Sequence, residues 1–91
     1  MKKFLILLQY KKPIEEIEKH LKAHIVFLDK YYNSKNFIFS GRKNPRTGGV
    51  ILCQFNSIEE VYSITKEDPF SIYELADYNV IEFEPTRGIP L

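Results

Sequence analysis

The chain has 91 residues, 13 basic and 12 acidic side chains and a net charge of +1, a balance that supplies no basic face for a phosphate backbone and argues against nucleic acid as a partner. Its one cysteine, Cys53, excludes an internal disulfide and a Cys-x-x-Cys metal or redox loop, and makes the reducing cytoplasm the expected compartment. One domain over 1–91 hides only about two thirds of its unfolded surface, so a hydrophobic share of 44% exceeds what a small monomer easily covers and predicts self-association.

Lys2-Lys3 followed by Phe4-Leu5-Ile6-Leu7-Leu8 superficially resembles a signal peptide. The apolar run is too short for one, and no small-residue cleavage site follows. No stretch approaches the length needed to cross a membrane, so no membrane partner is expected. Residues 4–10 read instead as a buried strand bounded by lysines. Pro13 suits the first turn of a helix, where its missing N–H is harmless. Glu15, Glu16 and Glu18 follow near the positive end of the helix dipole, with Lys30 toward the other end. One helix is predicted over 13–32, with Ile14, Ile17, Leu21, His24, Leu28 and Tyr31 along one side. Residues 36–40 form a second strand, 41–49 a loop rich in Gly, Pro, Asn and Arg, and 49–55 a third strand. Ser57 and Glu60 make a capping box for a short helix over 57–66. Asp68 caps another, with Pro69 at its first position. The last strand, 78–84, ends at Pro85.

The order β-α-β-β-α-β is the ferredoxin-like α+β arrangement, with helices over one face of an antiparallel sheet. The other face should be polar if it meets water. Here the first strand splits Phe4, Ile6 and Leu8 from Leu5 and Leu7, and the third splits Val50 and Leu52 from Ile51, Cys53 and Phe55. Both faces are apolar. The expected resolution is a homodimer, a dimeric α+β barrel in which a second copy covers the sheet face that the helices leave open.

His24 aims an imidazole into the apolar stripe. Such a group takes or gives a proton near neutral pH, and a carboxylate bound to one nitrogen leaves the other for a substrate. The alternative is a packed core histidine bonded to a backbone carbonyl. Asp68 is that carboxylate or an ordinary helix cap, and both roles fit if one oxygen caps while the other faces a cleft. His20 and His24 stand four apart, but no third ligand lies near, so neither a metal nor a cofactor is expected. Between Ser40 and Gly49, the glycines Gly41, Gly48 and Gly49 permit close backbone approach, and Arg42 and Arg46 suit a carboxylate or phosphate. The alternative is a flexible hairpin with solvated charges. Tyr10, at the exit of the first strand, lines the same expected cleft.

Ala23-His24 followed by Phe27-Leu28-Asp29-Lys30-Tyr31-Tyr32, then Ser40-Gly41, Pro45-Arg46-Thr47-Gly48-Gly49, Asp68-Pro69-Phe70 and a tail from Ala76 through Tyr78, Ile81-Glu82-Phe83 and Pro85-Thr86-Arg87 resemble the YciI-like (YCII-related) family over nearly the whole chain. The resemblance implies a dimeric ferredoxin-like α+β barrel with a cleft in each subunit. It implies a His–Asp pair at His24 and Asp68, with Ser40 and the Gly48-Gly49 turn near the same cleft. The family's best-understood relatives include a dehydrochlorinase of a chlorinated hydroxyquinol. Three positions depart from the family pattern. Lys11 stands where many members carry an acid, Leu21 where many carry an arginine, and Arg42 where proline usually follows the Ser-Gly pair. These changes leave His24 and Asp68 intact and shift the expected ligand toward an anion held by Arg42 or Arg46.

The combined expectation is a cofactor-independent enzyme of lyase, dehydrohalogenase or isomerase type. His24, oriented by Asp68, moves a proton on a small molecule, while Ser40 and loop backbone amides steady an oxyanion. A small-ligand binding or sensing module without chemistry, and an interaction domain in which His24 is merely packed, are the alternatives.

Overall fold

Period-two alternation builds the sheet. In β1 (Lys2–Tyr10), Phe4, Ile6 and Leu8 are buried on one face, while Leu5 and Leu7 on the other are only partly covered. The computed structural model describes residues 1–89 and continues with α1 (Ile14–Lys19), α2 (Leu21–Asn33), β2 (Phe37–Arg42), β3 (Gly48–Phe55), α3 (Ile58–Thr65), α4 (Pro69–Ile72) and β4 (Ala76–Phe83). The ladders are antiparallel, in the order β2-β3-β1-β4. Each helical crossover therefore joins two strands separated by one other, which is the expected ferredoxin-like topology.

The helices cover one face. Ile17, Phe27, Tyr31, Val61, Ile64 and Phe70 pack from them onto Phe4, Ile6, Ile51, Cys53 and Phe55 of the sheet. Each such large side chain contributes about 1.5–3 kcal/mol when fully buried. The cap is present with its reciprocal bond shifted by one residue: Ser57 Oγ accepts the Glu60 N–H at 3.2 Å, and the Glu60 carboxylate accepts the N–H of Asn56, the residue before the cap, at 3.0 Å. The C-terminal end of α2 closes where Lys35 takes a left-handed φ of 65°, with its N–H on the Tyr32 carbonyl and that of Asn36 on the Tyr31 carbonyl.

Two expectations need correction. The single helix over 13–32 is broken at His20, whose φ of −110° and ψ of 8° end α1 and begin α2. The His20 ring stacks on Tyr73, with centroids 4.2 Å apart. The break lets Ile17 of α1 and Phe27 and Tyr31 of α2 all face the core. The loop over 41–49 shrinks to 43–47, because β2 runs through Arg42 and β3 begins at Gly48. Gly41 pairs with Val50 and Arg42 with Gly49. Gly48 serves close approach and not chain flexibility: a Cβ there would lie 1.8 Å from the Leu8 carbonyl oxygen.

The sheet face away from the helices carries an apolar row across all the strands. Phe39 pairs with Leu52, Leu52 with Leu5, and Leu5 with Ile81. Phe39 is 50% and Ile81 42% exposed. Among the described residues, no helix is long and apolar enough to cross a membrane.

Candidate active site

The topology brings together residues 44 apart in sequence: His24 Nδ1 lies 2.8 Å from Asp68 Oδ1. Each partner is placed by its own element. Asp68 is the N-cap of α4, where Oδ1 also accepts the Phe70 N–H at 3.0 Å and Pro69 fills the first helical position. His24 sits one turn into α2, on the side that meets α4. Its ring lies on the Phe70 ring, with centroids 4.0 Å apart and planes at 5°. Stacking fixes the plane of the imidazole, and the hydrogen bond fixes its rotation within that plane.

Asp68 departs from the expected division of labour. Neither oxygen faces the cleft, because its side chain is 0% exposed. Oδ1 serves both the cap and His24, while Oδ2 accepts the Tyr78 hydroxyl at 2.6 Å. A buried carboxylate needs such a set of donors. Burial, followed by the charge and hydrogen bond of Asp68, pushes the Tyr78 hydroxyl far above the ordinary phenol range, so it remains a donor. A carboxylate only accepts, so the hydrogen between Asp68 and His24 belongs to Nδ1. The neutral imidazole then carries its lone pair on Nε2, which makes no hydrogen bond among the described residues. The His24 side chain is 12% exposed, and that exposure is to a cavity.

The cavity has a volume of about 170 Å³. It is lined by Leu8 and Tyr10 from β1, Leu21, His24 and Leu28 from α2, Phe70 from α4, Ser40, Gly41 and Arg42 from β2, Arg46 from the loop, and Gly49, Val50 and Ile51 from β3. Of the residues expected from the sequence, Tyr10, His24, Ser40, Gly41, Arg42 and Arg46 line this space, while Asp68 lies behind His24. Gly48 does not line it; it is buried against β1, and its neighbour Gly49 forms the wall.

Ser40 is not a free hydroxyl, since its Oγ lies 2.6 Å from the Tyr32 hydroxyl. The loop amides of Lys43 and Thr47 bond to the Gly48 and Pro45 carbonyls, so they do not point at a ligand. The arginines differ in kind. Arg46 donates to Glu18 at 3.1 Å, whereas Arg42 has no ion-pair partner among the described residues. His20 stacks on Tyr73, and no three His, Cys, Asp or Glu side chains are grouped to hold a metal among the described residues. Burial pushes the Cys53 thiol up to about 12, which keeps it protonated and inert.

Phe70, Tyr32 and Tyr78 were not picked out as site residues from the sequence. The sequence places Tyr78 in the last strand, and the register then pairs it with Leu8, whose side chain faces the helices, so alternation aims Tyr78 into the same layer. A tyrosine hydroxyl buried in an apolar layer requires a partner.

A ferredoxin-like α+β domain with an imidazole–carboxylate pair beside a small cavity is the class of protein that the fold and site define. The chain belongs to the YCII-related domain family, whose model matches residues 2–84. No curated protein matches it. Among solved structures, the 5-chloro-2-hydroxyhydroquinone dehydrochlorinase of Burkholderia phenoliruptrix AC1100, in complex with 2,5-dihydroxybenzoquinone, is similar with a TM-score of 0.78. The identity is 19%, and the match covers 90% of this chain and 93% of that one. At that identity the likeness establishes a shared fold.

Proposed function

We propose that the protein is a small-molecule enzyme of the YCII-related family, acting as a single domain, in which His24 and Asp68 carry cofactor-independent general acid–base chemistry. The observation that carries this reading is a fully buried carboxylate holding the Nδ1 side of His24 at 2.8 Å while the ring borders a cavity. Nε2 takes a proton from an O–H or acidic C–H of the bound compound, and Asp68 stabilises the imidazolium that forms. The proton then returns to another carbon, an isomerisation, or the released electron pair expels a leaving group such as chloride, an elimination. Neither route needs an external electron acceptor. Tyr10, Ser40, Gly41, Arg42 and Arg46 bind the compound, which carries negative charge, and Gly48 supports the wall from behind. The similar structure from Burkholderia, a dehydrochlorinase by name, supports the elimination route.

The test is turnover on 5-chloro-2-hydroxyhydroquinone and a panel of small ring compounds with acidic protons. His24→Ala and Asp68→Asn should each lower turnover by at least about a hundredfold, the low end for general acid–base groups. Unchanged turnover contradicts the reading, and thermal stabilisation by a compound that is never converted favours a binding module.

The same reading includes a homodimer through the open sheet face, supported by the apolar row Phe39, Leu52, Leu5 and Ile81. Sedimentation as a monomer at micromolar concentration contradicts it. A cytoplasmic setting goes with a lone, buried, unpaired thiol.

A further inference from the structure

The charges around the cavity are unbalanced. Its lining includes Arg42, Arg46 and the neutral imidazole of His24, and among the described residues it includes no Asp or Glu. Asp68 lies behind His24, where its oxygens accept from Nδ1, the Phe70 N–H and the Tyr78 hydroxyl, and it does not line the cavity. Glu18 reaches Arg46 from outside the cavity, at 3.1 Å, with side chains 57% and 24% exposed. Arg42 has no carboxylate within ion-pair distance among the described residues. One cation at the rim is therefore compensated and one is not. Leu8, Leu28, Ile51 and Phe70 supply apolar wall, beside the hydroxyl-bearing Tyr10 and Ser40. A volume of about 170 Å³ suits one six-membered ring, since an apolar cavity of about 150 Å³ takes benzene.

Resting on the acid–base reading for its site, we infer that the cavity selects a monocyclic monoanion: Arg42 takes its carboxylate, and Glu18, by pairing with Arg46, discourages a second anionic group. The planar fork of a guanidinium matches a planar carboxylate with two parallel hydrogen bonds. A ring anchored in this way sits between Arg42 and His24, in a space closed on its apolar side by Phe70 and Leu28. Glu18 is then a specificity-determining residue that touches no ligand. It sets preference by charge count, since Glu18 already offsets the charge of Arg46 that a second anionic group would meet.

The experiment is titration of benzoate, benzamide and phthalate into the purified protein and its Arg42→Gln and Glu18→Gln variants, followed by calorimetry and by the His24 ring resonances. Both substitutions lie at exposed or partly exposed positions, and thermal melts check that each variant is folded. The wild type should bind benzoate at least about tenfold more tightly than neutral benzamide, the size of one hydrogen-bonded charge contact. Arg42→Gln should remove that preference. Glu18→Gln should raise phthalate affinity relative to benzoate by about fivefold, the scale of a partly exposed ion pair. Equal binding of benzoate and benzamide by the wild type, retained benzoate preference in Arg42→Gln, or a ratio unmoved by Glu18→Gln overturns the inference. These outcomes are separate from those for His24→Ala: loss of anion selectivity leaves the proton-transfer reading standing, and failure of proton transfer leaves anion binding measurable.

Discussion

Tyr78→Phe removes one oxygen and keeps the ring, so it isolates the hydroxyl that supports Asp68. That hydroxyl donates to Oδ2 at 2.6 Å, and the carboxylate it serves is 0% exposed. Without it, Oδ2 has no donor among the described residues, while Oδ1 keeps His24 and the Phe70 N–H. A hydrogen bond to a charged group contributes about 1.5–3 kcal/mol, and a buried acceptor left unpaired costs at least as much. Because the phenyl ring still fills its place, the packing change is small. The expected loss is thus about 2 kcal/mol. For a domain of this length each kcal/mol moves Tm by about 4–8 °C, so Tm should drop by about 8–16 °C. Urea titration with a shared m value measures the same loss as a lower midpoint. A loss below about 0.5 kcal/mol refutes the claim that three donors are needed to hold Asp68 in place.

Gly48→Ala should lose more than about 3 kcal/mol of stability or fail to yield folded protein, because its Cβ meets the Leu8 carbonyl oxygen at 1.8 Å. Gly41→Ala, with nothing within 4 Å of a Cβ, should change stability by less than about 0.5 kcal/mol in the same thermal melts. The Cys53 thiol gives a pH dependence whose sign follows from its rise from 9.0 to about 12 on burial. Between those values the folded state keeps a proton that the unfolded state has lost, so the contribution is intact below 9.0 and stability falls as pH rises toward 12. The slope from this group approaches about 1.4 kcal/mol per pH unit. Urea titrations across that range should show a shallower alkaline decline in Cys53→Ala, and identical slopes for the two proteins contradict the assignment.

Local patterning carries much of the fold. Alternation over 4–10 assigns Phe4, Ile6 and Leu8 to the core face because strand geometry leaves no other choice. Spacing of three and four turns His24 inward. The break at His20 is invisible to such patterns, because its stacking partner is Tyr73, from another part of the chain. Gly48 reads as loop chemistry until the β1–β3 register sets it against the Leu8 carbonyl. The site divides in the same way. Asp68-Pro69 announces a cap from adjacent residues, whereas its contact with His24 depends on how α2 and α4 pack, so the residues alone leave the pair and the plain cap as alternatives. Tyr78 looked like ordinary packing because a hydroxyl's partner lies in space and not in sequence. The difference between Arg42 and Arg46 has the same origin, since Glu18 sits on a different element.

A general base at His24 requires the hydrogen on Nδ1 and leaves Nε2 bare. Nitrogen NMR of the ring-labelled protein, with the imidazole neutral, reads this directly and needs no substrate. The expected result is a protonated Nδ1 and a bare Nε2, with the distinction weakened in Asp68→Asn. A hydrogen found on Nε2, or a rapid average of both forms in the unaltered protein, contradicts a base aimed at the cavity.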